Sequence, residues 1–285
     1  MEKFLIVNNP NAGRRKAAKY KKNVIKFLLK RNAEFKSVGI DELSEVDFQE
    51  IKNVIAIGGD GTVNKIIPYI INTDKTLAII PCGTANLLAA KLGISGNIQK
   101  SLEVIEKNNI KQIDVMKVNE KFSILRTGFG YDSDIICKTP QSLKNKFGYF
   151  AYFLSGIIFA LRLKQKKYTI LHDGKKLSVL ATCIIIANAG NMFKNLVSIS
   201  NNCQLDDGLM EVFILKVKNP VMYFLEFLMI LFNKKFSGSK AMYFQAKELL
   251  IKNDFTVAHI DGEKQKFKGD IDIKVAPKSV KVFSN

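Results

Sequence analysis

Three short apolar runs in the first third of the chain each end in a turn suited to close backbone approach, and each is followed by a segment of helical character. Residues 4–7 lead into Asn8-Asn9-Pro10-Asn11-Ala12-Gly13, residues 54–57 into Gly58-Gly59-Asp60-Gly61-Thr62, and residues 77–80 into Pro81-Cys82-Gly83-Thr84-Ala85-Asn86. Apolar runs without polar alternation suit strands buried on both faces, which a sheet covered by helices provides. The helices are in the sequence too. Across 16–30, Ala17, Tyr20, Val24, Phe27 and Leu28 share one face while Lys19, Lys22, Lys26 and Lys30 take the other. Segments 62–72 and 84–92 follow the second and third turns. Repetition of strand, turn and helix predicts a parallel sheet with helices on its faces.

Beyond about residue 110 the pattern changes. Short alternating or apolar runs at 122–127, 168–171, 180–187, 209–217, 256–260 and 271–275 are bounded by Gly, Asn and Asp and read as mostly antiparallel strands of a second, β-rich domain. Two apolar-aromatic insertions, 147–163 and 220–236, read as helical. The longest apolar stretch, 147–161, contains Gly148, Ser155 and Gly156 and falls short of the roughly 20 residues a spanning helix needs. Four apolar residues before Asn8 are too few for the core of a signal peptide.

The chain carries 44 Lys and Arg against 26 Asp and Glu, a net charge of +18. Such an excess calls for an anionic partner: nucleic acid, a phosphate-bearing ligand or an anionic membrane. The four cysteines are scattered with no CxxC, and only two histidines occur, which argues against a disulfide scaffold or zinc site and fits a reducing compartment. The basic residues are dispersed and no RNP, zinc-finger or basic-zipper pattern occurs, so nucleic acid is not the expected partner.

In a parallel sheet, ligands gather at the carboxyl ends of the strands. Glycines there let backbone N–H groups approach an oxyanion, and a helix beginning at the same point adds its positive end. Thr62 and Thr84 offer hydroxyl donors, or serve as helix N-caps. Three such turns on consecutive strands make phosphate binding the better reading, although no GxxxxGK[ST] is present. Asp60 within such a cradle repels a phosphate unless it binds metal or holds donors in place; otherwise it stabilises an Asx-type turn. Asp261-Gly262-Glu263 either supplies a carboxylate that accepts a proton from an attacking hydroxyl or forms an acidic hairpin turn. Asp206-Asp207-Gly208 either binds a hard cation or connects strands. His172 and His259 read as structural.

Strand-GGDGT-helix, followed about 25 residues later by PCGTANLLAAKLGI, resembles the diacylglycerol kinase catalytic family in its bacterial soluble lipid-kinase branch. The resemblance continues through Asn9-Pro10…Gly13, Gly128-Phe129-Gly130-Tyr131-Asp132, Asp206-Asp207-Gly208 and Asp261-Gly262-Glu263, in the family's order over nearly the whole chain. It implies an α/β fold with an N-terminal three-layer α/β/α nucleotide-binding domain over 1–112 and a C-terminal β-sandwich lipid-substrate domain over 113–285, with the active site in the cleft between them. It implies nucleotide contacts at Asn9, Pro10, Asn11, Ala12, Gly13, Gly58, Gly59, Asp60, Gly61, Thr62, Val63, Asn64, Gly83 and Thr84. Ser37, after the second strand, stands where the family places another hydroxyl. The resemblance also implies ATP and Mg²⁺ as cofactors, with a structural magnesium at Asp207 and the carbonyls of Gln204 and Leu209. Asp261 and Glu263 match the acidic motif whose carboxylate accepts the proton, Glu263 being the usual position, and Asp60 is an organiser of charge at the γ-phosphate.

Ala12, Lys65 and Leu87 depart from the family's common residues and bear on the choice of substrate. The expected activity is phosphoryl transfer to a lipid hydroxyl, with Arg14, Arg15 and Lys16 beside the nucleotide phosphates. Aromatic residues 147–153 flanked by Lys144, Lys146, Arg162, Lys164, Lys166 and Lys167 either meet an anionic bilayer or form a buried helix with a basic rim. The expected location is cytoplasmic, peripheral to the inner face of a membrane; self-association is left open. The rival reading is a soluble-substrate kinase of the NAD kinase type, which shares GGDGT.

Overall fold

The structure, a computed structural model, describes residues 3–140, 143, 155–156, 163–188, 191–193, 197–198, 204–219, 221–223, 226 and 240–285. It divides into two compact units, Met1–Ile113 with Lys278–Asn285, and Asp114–Pro277. The closing residues thus return to the first unit, whereas the sequence reading ran the second domain to 285.

In the first unit β1 (Lys3–Asn8), β2 (Glu34–Gly39), β3 (Asn53–Gly58) and β4 (Thr76–Pro81) form a parallel sheet in the order β2-β1-β3-β4. β3 and β4 are buried at every residue, as strands covered on both faces are. Helices α1 (Lys16–Leu29), α2 (Asp60–Ile70), α3 (Leu87–Lys91) and α4 (Ile98–Lys107) accompany them. α1 and α4 pack on each other and on the sheet, while α2 packs on β3 and β4 beside a 3₁₀ segment, Ile40–Glu45. The helix expected over 84–92 is cut to α3 because Asn86 takes left-handed backbone, φ 50°, and cannot continue a helical turn. Ser37 lies within β2, opposite Ile6, rather than after the strand.

β5 (Ile110–Val118) begins in the first unit and ends in the second, where β6 (Lys121–Ser123) and β7 (Arg126–Gly130) follow, so the run 122–127 breaks at Ile124-Leu125. α5 (Tyr131–Lys138) follows. Then come β8 (Lys166–His172), β9 (Lys175–Ala181), β10 (Cys183–Ala187), the short pair β11 (Asn191–Phe193) and β12 (Val197–Ser198), β13 (Met210–Leu215), β14 (Ala241–Ala246), β15 (Glu248–Lys252), β16 (Phe255–Ile260) and β17 (Glu263–Lys268). The last strand, β18 (Ile271–Phe283), pairs antiparallel with β15 through 271–274 and parallel with β4 through Lys281 and Val282. One sheet of this unit runs β14-β13-β10-β7-β16-β17; the other contains β15, β8 and β9. Alternate residues of both face a shared core that includes Phe129, Ile184, Val212, Ile260, Ile170, Leu249 and Ile273. That is a β-sandwich. The insertions 147–163 and 220–236 fall almost wholly outside the described residues. Among the described residues no helix is long and apolar enough to cross a membrane.

Candidate active site

The three turns at the carboxyl ends of β1, β3 and β4 interlock. Gly13 has φ +64°, and a Cβ there would lie 2.0 Å from the Cys82 carbonyl oxygen, so only glycine lets the first turn seat on the third. Asn9 Nδ2 donates to Thr62 Oγ1 at 3.2 Å, joining the first turn to the second, and Asn9 Oδ1 accepts from Asn11 N at 3.1 Å. Asp60 joins the second to the third: its carboxylate accepts from Leu87 N at 3.1 Å and Leu88 N at 3.2 Å, the opening amides of α3. Burial pushes the Asp60 pKa up against the pull of these amides. The structure therefore shows Asp60 as a clamp on the third turn. Asn86, absent from the expected site, holds that turn from within, accepting from Gly83 N at 2.9 Å and donating to Gly83 O at 2.8 Å.

Neither threonine is an N-cap. Gly59 caps α2 and Asn86 precedes α3. Thr62 is 2% exposed with its oxygen bonded to Asn9, so it belongs to the scaffold; Thr84 is exposed. Val63 is core, and any contact it makes with a ligand is through its backbone. Pro10, Asn11 and Gly61 are exposed on the turns.

Three polar side chains of the first unit stand apart from this network. Asn8 Oδ1, Ser37 Oγ and Asn64 Oδ1 are buried without a hydrogen-bond partner in the protein. An unpaired buried polar atom costs about 1–3 kcal/mol, and these three come from β1, β2 and α2, the elements that carry or flank the turns. Ser37 and Asn64 were expected nucleotide contacts. Asn8, which directly precedes Asn9-Pro10, is not among the contacts the sequence singles out.

In the second unit Asp261 and Gly262 form a two-residue hairpin turn between β16 and β17, with φ +47° and +92°. Asp-Gly favours the left-handed conformations such a turn demands. The two acids of the motif have unlike surroundings. Asp261 Oδ1 accepts from Ser123 Oγ at 2.9 Å, Leu125 N at 3.0 Å and Arg126 N at 2.8 Å, and Oδ2 accepts from Ile124 N at 2.7 Å. These donors come from the break between β6 and β7, which Asp261 organises. Burial pushes the Asp261 pKa up against their pull. Glu263 is exposed at the first position of β17. Of the two acids, Asp261 is the anchor and Glu263 the group presented to solvent.

His259, two residues before Asp261, is fully buried and bonded through Nε2 to Asp132 Oδ2 at 2.6 Å. Arg126 donates to Asp132 Oδ1 at 3.2 Å. Burial disfavours charge on Asp132, yet the Arg126 guanidinium and the His259 ring hold its pKa down at about 2. Gly128 makes room for this contact: a Cβ there would meet Asp132 Oδ2 at 1.9 Å and His259 Nε2 at 2.4 Å. The glycine and acid of Gly128-Phe129-Gly130-Tyr131-Asp132 are thus one device.

Gln204, Asp207 and Leu209 share a single turn before β13. Asp207 is exposed, and its Oδ1 accepts from Leu209 N at 3.0 Å; Gly208 N donates to Asp114 Oδ2 at 2.6 Å. One carboxylate with two carbonyl-bearing neighbours is the donor chemistry of a hard cation site. Among the described residues no cluster of three or more His, Cys, Asp or Glu side chains is placed to hold a metal.

A parallel sheet with interlocked glycine turns, together with a β-sandwich bearing an acidic hairpin, defines a two-domain kinase fold. Residues 3–118 match the diacylglycerol kinase catalytic domain, and residues 126–284 match the YegS C-terminal NAD kinase beta sandwich-like domain. The chain belongs to the diacylglycerol kinase catalytic-domain family, in its bacterial branch, and is a kinase of that lipid-kinase family. It is 26% identical over 283 residues to the diacylglycerol kinase of Bacillus subtilis (strain 168), covering 92% of this chain and 90% of that protein. It is 25% identical over 225 residues to the diacylglycerol kinase of Staphylococcus saprophyticus, covering 75% and 73%. An uncharacterized protein of Synechocystis is 31% identical over 159 residues; the match covers 56% of this chain and 37% of that longer protein. A crystal structure of a diacylglycerol kinase from Bacillus anthracis str. Sterne has the same fold, with a TM-score of 0.78 at 23% identity, covering 100% of this chain and 97% of that one.

Proposed function

We propose that the chain transfers the γ-phosphate of ATP to a hydroxyl of a diacylglycerol-like membrane lipid, with Glu263 accepting the hydroxyl proton. The observation that carries the nucleotide half is the set of buried, unpartnered Asn8 Oδ1, Ser37 Oγ and Asn64 Oδ1 around the turns. Phosphoryl transfer through a loose transition state asks mainly for alignment, and interlocked turns supply a rigid frame for it. Asn9–Gly13, Gly58–Asn64, Gly83 and Thr84 form the nucleotide-facing surface, with Asn9, Asp60, Thr62 and Asn86 fixing its shape. Glu263 is exposed on a hairpin anchored by Asp261, a suitable position for a general base, which is typically worth about 10²–10⁴ in rate.

Bound Mg²⁺ would neutralise phosphate charge, and Asp207 with the carbonyls of Gln204 and Leu209 would hold a structural ion. The excess of 44 basic over 26 acidic residues supports peripheral contact with an anionic membrane on the cytoplasmic side. Incubation with a total lipid extract and γ-labelled ATP tests the reading. Label should enter the organic phase, and Glu263→Gln should abolish nearly all of it. Label confined to a water-soluble product would establish the soluble-substrate reading instead.

A further inference from the structure

Arg126, Asp132 and His259 hold no role in the reaction as described, yet their contacts end on the hairpin that carries Glu263. Gly262 N points at His259 Nδ1, 3.3 Å away. An amide N–H only donates, so Nδ1 carries no proton and the ring proton sits on Nε2, directed at Asp132 Oδ2. Asp132 is in turn oriented by Arg126. The result is a hydrogen-bond acceptor aimed at the peptide N–H immediately before Glu263. The hairpin is therefore gripped twice: Asp261 by the backbone of 124–126, and Gly262 by the His259 ring. Release of the second grip leaves Glu263 hinged about Asp261.

We propose that His259, oriented by Asp132 and Arg126, is a positioning residue that fixes the Asp261-Gly262-Glu263 turn so that Glu263 is held in its reactive pose. The inference rests on the reading of Glu263 as the base. Two substitutions separate this role from simple packing. Glutamine at 259 can place an amide N–H where Nε2 stood, keeping Asp132 satisfied, but offers Gly262 no acceptor. Asparagine keeps an acceptor near the Nδ1 position and does not reach Asp132.

His259→Gln is expected to speed amide hydrogen exchange at Gly262 and Glu263 and to lower kcat about 5–10-fold, the value of one lost hydrogen bond, with KM for ATP and lipid within about twofold. His259→Asn is expected to lose more thermal stability while keeping hairpin exchange and kcat nearer to wild type. Wild-type exchange at the hairpin in His259→Gln overturns the proposal, as does kcat that follows Tm in both variants. A parallel Glu263→Gln measurement keeps the two readings apart. Full turnover in that variant removes the base assignment, while the exchange data still decide whether His259 holds the turn.

Discussion

Asp261 and Glu263 are two positions apart in one motif, but the structure predicts that their amides will fail in different ways. Asp261→Asn replaces four-donor acceptance by an amide with one acceptor and one donor. With its oxygen at the Oδ1 position it still meets Ser123, Leu125 and Arg126, and its NH₂ then confronts Ile124 N–H. Stranding that buried donor costs about 1–3 kcal/mol, and three charge-assisted bonds made neutral weaken by roughly 0.5 kcal/mol each. Because burial outweighs the pull of the donors on the Asp261 pKa, relief of carboxylate desolvation cancels the weakening of these three bonds, leaving a net loss of about 1–3 kcal/mol from the stranded donor. At about 2–4 °C per kcal/mol for a unit of this size, Tm should fall by roughly 2–12 °C. Glu263→Gln alters an exposed side chain, so its Tm should stay within about 1–2 °C while turnover drops by about 10²–10⁴. Differential scanning fluorimetry with initial rates at 20 °C distinguishes the pair. The assignment is falsified if Asp261→Asn melts like wild type and is inactive while Glu263→Gln turns over normally.

Three further outcomes follow from the same geometry. The Asp132 pKa is held at about 2, below the ordinary 3.8, so its stabilising contribution is full above pH 4 and lost as pH falls through 2; the difference amounts to about 2 kcal/mol. Urea unfolding from pH 5 to 2 should show this loss in wild type and not in Asp132→Asn; parallel slopes would refute it. Gly13→Ala forces a Cβ onto the Cys82 carbonyl at a left-handed φ, so calorimetric ATP affinity should weaken at least about tenfold, given strain of about 1–3 kcal/mol; unchanged affinity would show that the turns need not interlock. Asp60→Ala removes the clamp on Leu87 and Leu88 and should cost about 0.5–2 kcal/mol, as lost helix caps do; unchanged amide exchange at these two residues would refute the clamp.

Much of the first unit was legible because its signals are local. Strands β1, β3 and β4 are continuous apolar runs, and α1 shows its buried stripe of Ala17, Val24 and Leu28 in its spacing. β2, Glu-Phe-Lys-Ser-Val-Gly, carries only a weak apolar signal, so the sequence points to Ser37 after the strand that in fact contains it. The run 180–187 reads as one strand, but the chain breaks at Thr182, with β9 and β10 in different sheets of the sandwich. Nothing in the local pattern of residues 281–282 marks them as a partner of β4; that pairing joins positions some 200 residues apart.

The sequence alone determined which residue types gather at the turns, since glycine, asparagine and threonine at strand ends advertise backbone geometry without any knowledge of neighbours. It also determined the acidic pair and the basic excess. Only the tertiary structure decided what each group does. Whether a carboxylate is an anchor or a reagent depends on which donors surround it, and the donors of Asp261 come from residues 123–126, far away along the chain. The buried orphans Asn8, Ser37 and Asn64, and the pairing of Asp132 with His259 above Gly128, arise in the same way. Burial and hydrogen-bond partnership are properties of the packed chain, because they depend on what excludes water from each atom.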